Sequence, residues 1–205
     1  TPLSLGIELE GGHMSTLIKR GTPIPCAKTR EYTTVDDYQT SIDVAVYEGE
    51  RPHVSGNNKL GEFVVDGVER AKKGEPKVEV TFALSADSIL AVSARDKVTG
   101  AQASTKIKAD RGRLTDDDVE RMIADAEKYR KADQEYAKKV AYRNALEEAV
   151  FAAKAKVPDG AAAADLDELL EWLDYDAQDA SLADLMERAT RLTEAHGIYV
   201  DAEAG

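Results

Sequence analysis

One cysteine, Cys26, and three histidines are all that 205 residues offer of the side chains on which most redox, metal and nucleophilic sites are built. A single thiol excludes an internal disulfide and is compatible with a reducing compartment. With three scattered imidazoles it makes no metal cluster, so no metal site is expected. A hydrolase on Cys26 would need a base, and no spacing joins it to His13 or His53. Cys26 therefore reads as a small packed residue and the histidines as surface residues. No Gly-Lys-Ser phosphate loop and no dinucleotide fingerprint are present. The carboxylate pairs Asp36-Asp37 and Glu48 with Glu50 stand among turn residues, where solvated loops are the simpler account. No catalytic residue emerges.

No apolar run approaches the roughly 18 residues that a membrane span needs. Basic residues are scarce in the second part of the chain. Residues 1–113 hold 16 basic and 16 acidic side chains, whereas 114–205 hold 11 basic and 23 acidic, so the net charge of −12 belongs wholly to the second stretch. That acidity excludes duplex nucleic acid and anionic membrane as partners, since both demand clustered Lys and Arg. It reads as a solvated helical face.

What is there in quantity is alternation. Leu3, Leu5, Ile7 and Leu9 fall on one face of an extended segment, and Ile42, Val44 and Val46 form a second such face that can pair beside it. Val78, Val80, Phe82 and Leu84 form a third. Gly11-Gly12 separates the first strand from Met14–Lys19, and Thr22-Pro23-Ile24-Pro25 lacks two backbone donors, as a crossing or an edge does. Cys26 to Thr34 is mixed polar with Tyr32 inside, and Lys59 to Asp66 makes a fifth strand. Ser85–Ser88 has the make-up of a hairpin loop between Val78–Leu84 and Ile89–Ala94, and a last strand ends near Ile107. Short strands with frequent turns and no intervening helix predict an antiparallel eight-stranded β-sandwich.

At Thr115 the period changes from two to about 3.6. Thr115 is an N-cap candidate, followed by Asp116, Asp117 and Asp118, and the stripe Val119, Met122, Ile123, Ala126, Tyr129 makes a first helix. A break near Lys131-Ala132-Asp133 starts a second, with Tyr136, Val140, Leu146, Val150, Ala153 and Val157, ended by Pro158-Asp159-Gly160. Leu166, Leu169, Leu170 and Leu173 mark a third helix, and Ser181 with Asp184 resembles a capping box for a fourth that Gly197 stops. The late helices and the end of the long one should close a bundle, which leaves the first helix to the sandwich. The fold class is thus α+β, an all-β sandwich over residues 1–113 followed by an all-α part over 114–205. Loops at Gly11-Gly12 and Val35-Asp36-Asp37 could frame a cleft that a helical arm covers.

The blocks TPLSLGIELEGG, TLIKRGTPIP, VYEGERP, KLGEF, PKVEVTF, ILAVSARDKVTG and DRGRLTDDDVERMIADAEKYR, in this order over residues 1 to about 130, resemble the peptide-binding part of the seventy-kilodalton heat-shock chaperones. Farther on the resemblance is fainter, with RNALEE at Arg143 agreeing with that family's helical lid. It implies a sandwich that grips extended, Leu-rich segments of unfolded polypeptides under a movable lid, with no enzymatic activity of its own. The chain begins at Thr1, just past where the family's interdomain linker would lie, so the ATPase domain, with its ATP and Mg, is expected to be missing.

The resemblance implies that Ile7, Tyr32, Ile42, Val44, Val78 and Val80 wall a central pocket. Leu9 and Thr33 would line the groove, and Glu10 and Val35 would stand where the family closes an arch over the peptide. Glu10 departs from that apolar pattern, and with Glu31 beside Tyr32 it predicts a preference for peptides with basic flanks. The Tyr32 hydroxyl, unusual there, requires a partner or water. Lys73 and Glu147 would form a latch between sandwich and lid. Implied partners are unfolded peptides, J-domain co-chaperones and nucleotide-exchange factors of the full-length protein, and a neighbouring copy's segment in the groove as a route to self-association. YEGERP and RGRL look more like eukaryotic members, implying the cytoplasm, with the secretory-pathway lumen as the alternative. The competing expectation is a non-chaperone sandwich, a binding or scaffold module with a fixed helical bundle.

Overall fold

Leu5, Ile7 and Leu9 turn one face of strand β1 (Leu5–Leu9) inward in the computed structural model, which describes residues 1–108, 114–156, 161–177 and 179–200. The strands that follow are β2 (His13–Ile18), β3 (Cys26–Tyr32), β4 (Ser41–Glu48), β5 (Asn58–Asp66), β6 (Val78–Leu84), β7 (Ile89–Asp96) and β8 (Gln102–Lys108). They form two four-stranded sheets, ordered β2-β1-β4-β5 and β3-β6-β7-β8, with antiparallel pairing throughout. The expected eight-stranded antiparallel sandwich is what forms. Thr22–Pro25 lies in no strand and falls where the chain leaves one sheet for the other, as the missing donors of its two prolines require.

Register decides what faces the core. Ile7 stands opposite Ser15 on β2 and Val46 on β4. The ladder slips between Leu5 and Gly6, and a Cβ on Gly6 would lie 2.2 Å from the carbonyl oxygen of Ser15, so this bulge admits glycine alone. Ile7, Val44, Val46, Val80, Phe82 and Val92 interdigitate from the two sheets in one core. Each such buried side chain contributes about 1.5–3 kcal/mol. β5 meets β8 on one side of the sandwich, where the Ile107 side chain lies over Gly61, and β2 meets β3 on the other.

The helices are α1 (Asp116–Lys128), α2 (Arg130–Lys154), α3 (Ala161–Tyr175) and α4 (Leu182–His196). Thr115 Oγ1 accepts from the Asp118 N–H at 3.1 Å while the Asp118 carboxylate accepts from the Thr115 N–H at 3.0 Å, a reciprocal cap that fixes where α1 begins. The break before α2 comes at Tyr129, just ahead of the expected Lys131. None of the apolar residues of α1 is fully buried. In α2 only Leu146, Val150 and Ala153 are, because its first half has no bundle to enter. Val157 and the Pro158-Asp159-Gly160 stop lie outside the described residues, as does the strand-to-helix transition at 109–113.

The chain divides into two compact units, Thr1–Arg130 and Lys131–Gly205. α1 falls in the first, where the Arg51 guanidinium stacks 4.5 Å over the Tyr129 ring. The second has its own core, in which Leu146 and Val150 meet Leu166, Leu173, Leu185 and Leu192. Arg143 donates to the Leu173 carbonyl at 2.9 Å, Lys154 pairs with Asp167, and Arg188 stacks 3.9 Å over Trp172. Ser181 and Asp184 repeat the reciprocal cap at α4, and Gly197, at φ 66°, ends it. Among the described residues no helix is long and apolar enough to cross a membrane.

Candidate functional site

Seven of the residues singled out from the sequence meet in the sandwich core, at different depths. Ile7, Val44, Val78 and Val80 are 1–4% exposed and form a floor. Leu9, Tyr32 and Ile42 are half-buried and pack against that floor with part of their surface open. Tyr32 and Val78 are ladder partners on β3 and β6, and Ile42 stands opposite Val65 on β4 and β5, so the two sheets supply opposite sides. Glu10, Thr33 and Val35 are exposed, Val35 at 44%.

Short connections hold these exposed residues. Glu10 opens a single 3₁₀ turn, Glu10–Gly12, in which Gly11 and Gly12 take positive φ. A Cβ at Gly12 would stand 2.6 Å from His53 Nε2, so this turn packs directly on the β4–β5 connection. The segment carrying Val35 is pinned by Gln39, whose Oε1 accepts from the N–H groups of Val35 (3.1 Å) and Asp36 (3.2 Å) and whose Nε2 donates to the Ser41 carbonyl at 2.7 Å. It docks on the β5–β6 connection: Lys73 N–H donates to Asp37 Oδ1 at 3.0 Å, Gly74 N–H to the Thr34 carbonyl at 3.2 Å, and Tyr38 N–H to the Ala71 carbonyl at 2.7 Å.

The Tyr32 hydroxyl finds its partner inside the protein. It lies 2.8 Å from Ser15 Oγ, and Arg30 Nη1 donates to the same Oγ at 3.1 Å. Burial pushes the Tyr32 phenol above its ordinary value, against the opposing pull of the Ser15 hydrogen bond and the Arg30 charge. Glu31 is turned the other way by strand alternation. It faces Glu79 across the ladder, and Lys97 bridges the two carboxylates at 3.0 and 3.5 Å. Glu31 is thus paired with a lysine on the face opposite Tyr32, whereas Glu10 stands on the turn that follows Leu9.

Other expectations change with the geometry. Glu48 and Glu50 are half-buried structural acceptors rather than solvated: Glu50 takes the Ser4 N–H at 2.7 Å and Glu48 the Asn58 Nδ2 at 2.8 Å. His13 and His53 are not surface residues. Both are half-buried and joined by a backbone bridge, and burial, then the neighbouring His53, lowers the His13 pKa. Cys26 is half-buried at the edge of the core, opposite Leu84. Among the described residues no group of three or more metal-ligating side chains converges. Lys73 is half-buried on its loop; Glu147 lies on α2, 3.7 Å from Arg143. Ser15 and Gln39 escaped the sequence reading. The local signal was a hydroxyl in phase with His13 and Leu17, which alternation alone does not mark as a site.

Two four-stranded sheets with a common core, followed by helices that have a core of their own, define a β-sandwich with a C-terminal helical part, and in the sandwich half-exposed Leu9, Tyr32 and Ile42 pack on a buried apolar floor. The chain belongs to the Hsp70 family of heat-shock chaperones: a model of that family, described as Hsp70 protein, matches residues 1–202. It is 40% identical over 183 residues to a heat shock 70 kDa protein of Emericella nidulans, covering 84% of this chain and 28% of that protein. A heat shock 70 kDa protein of Neurospora crassa is 41% identical over 189 residues, covering 86% of this chain and 29% of the relative. One from Penicillium citrinum is 43% identical over 159 residues, covering 78% and 32%. The chain therefore spans roughly three-tenths of the length of these relatives.

Proposed function

We propose that this chain is the client-binding part of its chaperone and holds extended, Leu-rich segments of unfolded polypeptides. The observation that carries this reading is the graded apolar site: a floor of Ile7, Val44, Val78 and Val80 beneath half-exposed Leu9, Tyr32 and Ile42. An extended segment presents unpaired backbone groups at regular spacing, for which Thr33 offers its main chain, while one apolar socket tests for an aliphatic side chain. Burying one leucine there is worth about 1.5–3 kcal/mol. Folded proteins keep such residues inside, so unfolded chains are selected. Glu10 and Val35 close over the peptide, and Glu10 favours Lys or Arg flanks.

The helical part acts as the lid, with Lys73 and Glu147 as its latch, and governs how fast peptide leaves. ATP and Mg act in the remainder of the full-length protein, together with J-domain and nucleotide-exchange partners, and this chain binds without hydrolysis. Its compartment is the cytoplasm. A fluorescent Leu-centred peptide should bind the full chain in an anisotropy titration, and Ile42→Phe, which fills the socket, should abolish binding while the chain stays folded. The same peptide with Arg flanks should bind more tightly than with Glu flanks, by a margin that shrinks in high salt. Binding unaffected by Ile42→Phe would favour the scaffold reading instead.

A further inference from the structure

Ser15 stands opposite Ile7 in the β1–β2 ladder and is 6% exposed, an inward hydroxyl among apolar neighbours. Such a group is costly to bury unless it is bonded. Its bond crosses from one sheet to the other, since Ser15 is on β2 and Tyr32 on β3, edge strands that share no ladder. Arg30, two residues before Tyr32 on the same strand, donates to the same oxygen. One residue thus stands opposite a floor residue in its own sheet and holds the hydroxyl of a wall residue on the other.

An aromatic ring on an edge strand swings about its first side-chain torsion unless something holds its far end. Here the base of Tyr32 is fixed opposite Val78 and its Oη is held by Ser15. We infer that Ser15, supported by Arg30, is a positioning residue that fixes the width of the socket by tethering the Tyr32 ring, and so makes it select aliphatic over aromatic side chains. The inference rests on the peptide-binding reading above. A socket of fixed width excludes a phenyl ring that a leucine side chain clears; one with a swinging wall admits both. Pure structural satisfaction of a buried phenol would alter stability and leave this discrimination alone.

The test compares two peptides identical but for a central Leu or Phe, titrated by anisotropy against the full chain. The wild-type chain should prefer Leu. Ser15→Ala should cut the Leu-to-Phe affinity ratio by about fivefold, the weight of one neutral hydrogen bond. Tyr32→Phe removes the same bond from the other end without adding an atom and should do the same. The double variant should show no further loss, and Ser15→Thr, which keeps the hydroxyl, should retain the ratio. A wild-type preference that persists in both single variants, or losses that multiply in the double, overturns the tether while leaving the binding site standing. A wild-type chain that binds neither peptide overturns the site, and the tether's role with it.

Discussion

Asp96 is fully buried, and its carboxylate is the anchor of the site's far side. Its Oδ1 accepts from the N–H groups of Val98 (2.7 Å) and Thr99 (2.9 Å) and its Oδ2 from that of Glu69 (2.9 Å), joining the β7–β8 turn to the β5–β6 connection. It is also the ladder partner of Val78, so the row Tyr32, Val78, Asp96 runs from wall to anchor. Burial alone would raise its pKa; the N–H groups of Glu69, Thr99 and Val98 outweigh that and hold it below the usual carboxylate range. Because the folded value is depressed, the stabilisation is complete above the unfolded pKa of about 3.9 and fades as pH falls through the folded one. Asp96→Asn, which turns a donor toward these N–H groups, should lower stability by roughly 2 kcal/mol near pH 7 and flatten acid unfolding below about pH 4. Thermal melts from pH 7 to 3 measure both. Equal acid limbs in wild type and variant would show that this carboxylate is not the anchor.

At the scale of elements, the strands with one dry face and the capped helices were legible, because alternation and N-cap chemistry are local. Leu5, Ile7 and Leu9 announced β1, and Thr115 and Ser181 announced α1 and α4. β3 read only as mixed polar, since Lys28 and Arg30 occupy its inward phase where the edge is open to solvent. The bond from Ser15 to Tyr32 was not legible, being set by how two sheets face each other rather than by spacing along either strand. Resemblance, not periodicity, supplied the candidate pocket residues, and packing then graded them into floor and wall. The latch proposed between Lys73 and Glu147 belongs to this scale. Glu147 lies 3.7 Å from Arg143 within α2. A pair of this kind is worth about 0.2–1 kcal/mol, so Glu147→Ala should speed release of a fluorescent peptide by at most about fivefold with association unchanged. An unaltered release rate in a stopped-flow chase removes the latch.

For the molecule as a whole, charge and composition divide the labour. The near-neutral sandwich holds the apolar site, and the acidic residues are concentrated in the helical part, which has a separate core. Two cores allow one part to move without unfolding the other, which a lid requires. The central claim is that a foreign aliphatic side chain enters the sandwich between Tyr32 and Ile42. Methyl-resolved NMR of the Ile-, Leu- and Val-labelled chain, titrated with an unlabelled Leu-rich peptide, tests it most directly. Shifts concentrated at Ile7, Leu9, Ile42, Val44, Val78 and Val80 are the predicted result. Shifts confined to outward methyls such as Ile89 and Val98, or none at saturating peptide, would contradict it.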